Sequence, residues 1–296
     1  MTNDKSSKLS QSFHKLLNQH GYNFQFSLLS AIIKLSERDR NFPWEFEISE
    51  FPVEHDNFET KIDFLLSRTD KRTQLICECK RANPSLSDWC FVRAPIIHRH
   101  QAAFSPITID RVEKPFADME GYCIPAIIKP SRDVYHIYIE LKTDKQGDSI
   151  GQGRGAINDA ITQVIRGVVG YTNFLIQNGH LLTNVLDVNL IPIIFTTANL
   201  WTSSSDLSQA NLDDGNLDTT RMEELELQKF VWVQYHLSNS LQNPNLEIQE
   251  QLTSIQDNFE YYSLRTIAIV NSKHVEEFLH YLDENVNYIK KYHEHY

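Results

Sequence analysis

The 296-residue chain lacks the features that define several protein classes. Its four cysteines (77, 79, 90 and 123) are too few for a disulfide scaffold in a chain of this length. Its longest apolar runs, such as 190–195, fall far short of the roughly 20 residues that cross a bilayer. The polar N-terminal stretch MTNDKSSKLS has no apolar core of a secretory signal. We therefore expect a cytoplasmic protein without a membrane partner.

Zinc-binding patterns and positive charge are also scarce. The twelve histidines include no H-E-x-x-H spacing, and the Cys77–Cys79 pair has no second pair at zinc-ribbon spacing, which disfavours a zinc hydrolase. The net charge of −11 disfavours a general nucleic-acid coat, because such binding depends on Lys and Arg neutralising phosphates. Residues 61–114 nevertheless carry ten Lys or Arg against six Asp or Glu. This basic zone could hold a polyanion, although a solvated charged surface explains the same pattern.

Hydrophobic periodicity predicts an α/β protein. Helical spacing indicates helices at about 8–20, 24–38, 156–177 and 275–292, and shorter apolar runs indicate strands at 44–53, 61–67, 74–80, 122–128, 134–142, 190–196, 230–237 and 264–270. We expect one domain over 1–296, with a mixed central β-sheet flanked by helices, an insertion at about 81–155 and a C-terminal strand-helix extension at about 228–296. Residues 81–119 contain four prolines, which predict loops and short helical turns.

The runs 61–67 and 74–80 predict a β-hairpin that carries the most informative polar residues. If the turn is centred between residues 70 and 71, facing positions sum to 141, and Asp63 faces Glu78. Facing Cβ atoms lie about 4.5–5.5 Å apart. Strand alternation places Lys80 on the face of Glu78 and turns Cys77 and Cys79 to the opposite face.

Two facing carboxylates repel each other unless a cation lies between them. Oxygen ligands suit a hard divalent ion such as Mg²⁺, and a neighbouring lysine can orient a water or stabilise developing negative charge. Asp63 and Glu78 stand in otherwise apolar runs, where an unpaired charge is costly. The alternative interpretation is that both are solvated residues of a half-exposed hairpin.

The segments K-I-D-F-L-L and L-I-C-E-C-K resemble the D…(D/E)-x-K motif of the PD-(D/E)xK nuclease superfamily, which includes restriction endonucleases and repair and recombination nucleases. The resemblance implies that Asp63, Glu78 and the backbone carbonyl of Cys79 bind Mg²⁺, or Mn²⁺ in its place. It implies that Lys80 serves the attacking water. Ile62 stands where the strict motif has proline.

The same resemblance implies a restriction-endonuclease-like core and Mg²⁺-dependent endonuclease activity on DNA, in restriction, phage defence or repair. Many such enzymes act as dimers, so a homodimer is left open. Helices that follow the E-x-K strand in this superfamily often present a polar side chain to the metal or phosphate, which makes Gln163 a catalytic candidate, with Arg166 one turn further on. An acidic residue on the preceding helix often completes the site, and Glu37 is the candidate here.

Three alternatives remain at this point. A second E-x-K stands at Glu140–Lys142, with Asp133 before it, but the preceding strand carries no facing acid. A catalytically inactive relative could bind nucleic acid, or a protein through the acidic stretch 213–226. An enzyme acting on small phosphate esters is a weaker hypothesis, because the sequence shows no nucleotide-binding loop.

Overall fold

The computed structural model describes residues 2–19, 21–55, 58–84, 86–93, 106–113, 121–129, 133–143, 149–151, 155–178, 187–218, 224–236 and 264–291. The helices are α1 (Thr2–Gln19), α2 (Tyr22–Arg38), α3 (Gly155–Asn178) and α4 (Val275–Val286). The strands are β1 (Trp44–His55), β2 (Phe58–Arg68), β3 (Thr73–Lys80), β4 (Asp88–Val92), β5 (Thr108–Glu113), β6 (Tyr122–Ile127), β7 (Val134–Tyr135), β8 (Ile137–Thr143), β9 (Ser149–Gly151), β10 (Asp187–Thr196), β11 (Asn199–Ser203), β12 (Glu226–Gln228), β13 (Phe230–His236), β14 (Leu264–Asn271) and β15 (Lys290–Lys291).

The large sheet is mixed, and its order is β1-β2-β3-β10-β14-β13-β7. Strand β5 also pairs with β10, β6 pairs with β5, and β15 pairs with β6. Strands β1, β2 and β3 are antiparallel neighbours, whereas β10 runs parallel to both β3 and β14. A smaller sheet has the order β12-β11-β4-β8-β9. The mixed α/β architecture predicted from the sequence is confirmed.

Helices cover both faces of the large sheet. The long helix α3 packs on one face, where Ile62, Leu65 and Ile76 belong to the same buried cluster as its apolar side. The opposite face carries Phe64 and Cys77, buried in a second cluster with residues of α2 and α4. Strand alternation thus places the hairpin cysteines away from α3, as predicted.

The helix α3 approaches the sheet closely because it has glycines where it crosses the strands. A Cβ built on Gly170 would lie 2.7 Å from the Cβ of Val53 on β1. A Cβ built on Gly167 would lie 3.2 Å from Cγ1 of Ile62 on β2. Any larger side chain at Gly170 would push the helix off the strands that carry the candidate site.

The predicted insertion at 81–155 contributes strands to both sheets. Its β4, β8 and β9 belong to the smaller sheet, whereas β5, β6 and β7 join the large one. The prediction of loops and helical turns over 81–119 is therefore wrong at 88–92 and 108–113. Pro84 and Pro106 precede these strands, a position that proline tolerates because it removes no ladder hydrogen bond.

Strand β14 and helix α4 form where the sequence predicts a strand and a helix, but the helix is shorter. It ends at Val286 rather than near 292, and Lys290–Lys291 pair with β6. Among the helices that the structure describes, none combines the length and apolar character of a membrane span.

Candidate metal and phosphodiester site

The β2–β3 hairpin has the register that the sequence predicts. Phe64 pairs with Cys77, and Ser67 pairs with Gln74, so that paired positions sum to 141. Asp63 and Glu78 are the next positions along this register. The turn includes Lys71, whose φ of +59° is ordinary in a tight turn.

A third carboxylate extends this row onto β1. Ser49 pairs with Phe64 and Phe51 pairs with Ile62, which places Glu50 beside Asp63. A row of acidic residues therefore crosses β1, β2 and β3 at one level. Glu50 is not evident from the sequence, because the register shifts between Phe46 and Ile48.

Two of the three strands, β1 and β2, are distorted at the level of the carboxylates. Glu50 has a φ of +55° in the middle of a strand, a conformation that costs a non-glycine residue about 1–3 kcal/mol. On β2, Ile62 and Leu65 both pack in the cluster beneath α3, although strict alternation would put them on opposite faces. The distortion brackets Asp63, and such irregularities are common next to functional sites.

The predicted catalytic residues meet in one cleft of about 780 Å³. The cleft lies where β3 ends, between the start of α2 and the third turn of α3. All of the predicted ligands and catalytic residues line it: Asp63, Glu78, Cys79, Lys80 and Gln163, together with Gly21, Tyr22, Gln25, Arg81, Ala82, Asn83 and Pro84.

Among the described residues, none neutralises the Glu78 carboxylate by a hydrogen bond or an ion pair. Glu78 is 6 % exposed and lines the cleft. The ammonium of Lys80, on the same strand face, likewise has no hydrogen-bond or ion-pair partner among the described residues. A buried carboxylate without a partner binds a proton or a cation.

Asp63 is held more firmly than Glu78. Its Oδ2 accepts a hydrogen bond of 2.7 Å from the backbone N–H of Cys79, which leaves Oδ1 for another ligand. The N–H and C=O of one residue in a strand point toward the same neighbouring strand. We therefore expect the Cys79 carbonyl on the Asp63 side, where the sequence analysis predicts a metal ligand.

The electrostatics of the cleft favour a positive ligand. Burial first, and then the charge of Asp63, raises the pKa of Glu78 to about 9. Burial also raises the pKa of Asp63 to about 6, opposed by the Cys79 N–H and reinforced by Glu50. Lys80 lowers both pKa values without offsetting the increase.

Gln25 on α2 connects two members of the row. Its side chain is 3 % exposed, and its Nε2 donates to Glu50 Oε1 at 2.7 Å and to the backbone oxygen of Asp63 at 3.0 Å. Gln25 is not evident from the sequence, because an uncharged amide on an apolar helix face forms no recognisable pattern. It occupies the place that the sequence analysis assigned to Glu37.

The remaining candidates lie elsewhere. Glu37 is exposed near the end of α2, twelve residues or about 18 Å of helix beyond Gln25, so its assignment to the site is not supported. Arg166 is half-buried and is not among the described residues that line the cleft. Glu140 is 2 % exposed and lies in the smaller sheet.

The rival Glu140 has a structural role. Its Oε1 accepts a 3.0 Å hydrogen bond from the backbone N–H of Ile157, in the first turn of α3. A carboxylate suits this position because the first N–H groups of a helix lack partners within the helix. Asp133, the other acid of this segment, is paired with Arg93.

The donor set fits a hard divalent cation. Asp63 and Glu78 supply carboxylate oxygens, and Cys79 supplies a carbonyl, which are the ligand types that Mg²⁺ and Mn²⁺ accept. Over the described segments, no group of three or more His, Cys, Asp or Glu side chains is arranged to hold a metal. The predicted set needs two such side chains, and the uncompensated Glu78 carboxylate is the observation that favours a cation there.

Known proteins add no assignment. No protein-family model, curated protein or solved structure matches the chain. Functional inference therefore rests on the geometry of the cleft.

Proposed function

We propose that this protein is a divalent-cation-dependent nuclease that hydrolyses phosphodiester bonds in DNA, with Asp63, Glu78 and Lys80 at its centre. The observation that carries the proposal is the buried Glu78 carboxylate, which has no partner in the described structure and lies beside Asp63 in an open cleft. The resemblance to the PD-(D/E)xK motif points to the same three residues.

Each residue has a distinct part in this proposal. Asp63, Glu78 and the Cys79 carbonyl would hold Mg²⁺ or Mn²⁺, which supplies a Lewis acid and an acidified water when bound. Lys80 presents an ammonium, without an ion-pair partner in the described segments, that can orient the attacking water or stabilise negative charge on the phosphate. Gln163 lines the cleft from α3 with an exposed amide that can donate a hydrogen bond to a phosphate oxygen.

The charges around the cleft support a phosphodiester substrate. Arg81 is exposed and lines the cleft directly after Lys80, so two consecutive cations border the carboxylates. The chain as a whole carries a net charge of −11, which repels polyanions from other surfaces. Nucleic acid would therefore bind at one place rather than coat the protein.

The test is cleavage of plasmid and linear DNA in the presence of Mg²⁺, Mn²⁺ or EDTA. We expect wild-type protein to cleave with either metal and not with EDTA. Asp63→Ala and Lys80→Ala should abolish cleavage, whereas Glu37→Gln, a change to an exposed glutamate at the far end of α2, should leave it intact.

Two outcomes would overturn the proposal. A folded wild type that binds DNA but cleaves it under no metal would favour the inactive relative. Cleavage that persists in Asp63→Ala and Lys80→Ala but disappears in Glu140→Ala would place the chemistry at the other E-x-K strand.

A further inference from the structure

We infer that Gln25 and Glu50 are positioning residues of the cation site, with Gln25 fixing Asp63 in place and Glu50 strengthening the affinity of the cleft for a divalent cation. The inference rests on the proposed cation site at Asp63 and Glu78. It concerns two residues that lie outside the D…E-x-K pattern and would not bind the cation themselves.

Gln25 acts through two hydrogen bonds made by one nitrogen. Nε2 reaches Glu50 Oε1 at 2.7 Å and the backbone oxygen of Asp63 at 3.0 Å. Asp63 is therefore held at both ends, by Gln25 at its main chain and by the Cys79 N–H at its carboxylate. A residue fixed in this way loses little further entropy when it binds a ligand.

Glu50 contributes charge at close range. Register places it beside Asp63 on the adjacent strand, and its Oε1 accepts from the same Gln25 nitrogen that donates to the backbone oxygen of Asp63. A negative charge that repels the carboxylates of Asp63 and Glu78 attracts a divalent cation bound between them.

Lys61 provides an opposing charge on Glu50. Its Nζ lies 3.7 Å from Glu50 Oε2, and its side chain is 64 % exposed. The ion pair is therefore screened by solvent and only partly neutralises Glu50. Removing Lys61 should strengthen cation binding, whereas removing the charge of Glu50 should weaken it.

The experiment measures Mg²⁺ and Mn²⁺ binding to the full-length protein by titration calorimetry at constant pH and ionic strength. Glu50→Gln keeps the oxygen that accepts from Gln25 and removes only the charge. We expect it to weaken cation binding about tenfold, while Lys61→Gln tightens binding about twofold. Glu45→Gln is the matched control, because Glu45 lies on the same strand and pairs with Lys71 at 2.7 Å. Glu45→Gln should leave the affinity for both cations unchanged.

Gln25→Met tests positioning, because methionine keeps the length of the side chain and loses both hydrogen bonds. We expect weaker cation binding and a lower kcat for DNA cleavage, with the affinity for DNA in EDTA unchanged. Restoration by Gln25→Glu is not expected, since a carboxylate cannot donate to the Asp63 oxygen. A purely structural Gln25 would lower thermal stability and leave cation affinity and kcat per folded molecule unchanged.

The outcomes separate the two proposals. If the wild type binds no divalent cation, the proposed function fails. If the wild type binds a cation and Glu50→Gln and Lys61→Gln both bind it equally well, the cation site stands and the role of Glu50 is overturned. Opposite shifts in these two variants support the inference, because loss of fold would weaken binding in both.

Discussion

Strands β3 and β8 carry the same Glu-x-Lys pattern near their C-terminal ends, and each glutamate is buried. Glu78 lies two residues before the end of β3 and is 6 % exposed, and Glu140 lies in β8 and is 2 % exposed. Their partners differ. Glu140 accepts a 3.0 Å hydrogen bond from the backbone N–H of Ile157. Glu78 accepts no hydrogen bond within the described structure and lies beside Asp63 in an open cleft.

The comparison shows that the Glu-x-Lys pattern and burial do not by themselves distinguish these two carboxylates. A buried carboxylate that accepts hydrogen bonds from a helix start is satisfied by the fold. A buried carboxylate that lies beside another carboxylate and accepts no hydrogen bond needs a proton or a cation to offset its charge. The lack of a partner for Glu78 among the described residues, rather than the pattern Glu-x-Lys, distinguishes the candidate site.

The largest difference is expected in catalysis. Glu78→Gln should lower the rate of Mg²⁺-dependent DNA cleavage about a thousandfold, because it removes a charged ligand from the reacting centre. Glu140→Gln should leave the rate per folded molecule unchanged, since the amide oxygen can still accept from Ile157. Single-turnover kinetics on end-labelled DNA would measure both, and a large loss in both variants would contradict the distinction.

Replacing the two buried glutamates should change the stability of the protein in opposite directions. Glu140→Ala leaves the Ile157 N–H without its acceptor and should lower the free energy of unfolding by about 1–3 kcal/mol. Glu78→Gln in EDTA at pH 8 should raise it by several kcal/mol, because glutamine does not need the proton that the folded state keeps on Glu78 and the unfolded chain releases near pH 4. Denaturant unfolding followed by circular dichroism measures both values. A destabilised Glu78→Gln would indicate that Glu78 is structural.

The dependence of stability on pH should come from the same carboxylates. The pKa values of Asp63 and Glu78 are raised in the folded state to about 6 and about 9, so the folded protein keeps protons that the unfolded chain releases near pH 4. The metal-free protein should therefore lose stability as pH rises from about 4 to about 9, by about 1.4 kcal/mol for each unit of pKa difference between the two states.

Unfolding in EDTA across this pH range measures the effect, and Mg²⁺ should restore stability most at high pH. Glu78→Gln should flatten most of the slope. A wild-type slope that is flat between pH 5 and 9 would show that the two carboxylates are solvated, as in the alternative interpretation of the sequence.

The smallest effect is expected at Gln163. Gln163→Ala should lower cleavage about tenfold, the cost of one hydrogen bond to the substrate. Gln177→Ala is the matched control, because Gln177 is an exposed glutamine on the same helix and does not line the cleft within the described structure. Equal rates for the two variants would remove Gln163 from the site.

The sequence predicted the central hairpin because its information is local. Two apolar runs and a six-residue polar gap determine the register that places Asp63 beside Glu78. The same local reasoning placed α2, α3, β10 and β14, whose apolar patterns are long or uniform. Gln163 was found because α3 follows the sheet strands in the order that the resemblance implies.

The sequence could not show what depends on distant contacts or local irregularity. Glu50 reaches the row only because a register shift in β1 and a positive φ place it there. Gln25 gives no charge signal, and its two partners are 25 and 38 residues away. The role of Glu140 required the position of the α3 N-terminus, and β5 was hidden by the prolines around it.

The most direct test of the account is a crystal structure of the full-length protein grown with Mn²⁺, with diffraction data collected at the manganese absorption edge. We expect an anomalous difference peak bounded by the carboxylates of Asp63 and Glu78 and the carbonyl of Cys79. Crystals of Glu78→Gln should lack it. Crystals that hold Mn²⁺ at Glu140, or none at Asp63 and Glu78 at saturating concentration, would contradict the assignment of this cleft as the metal site.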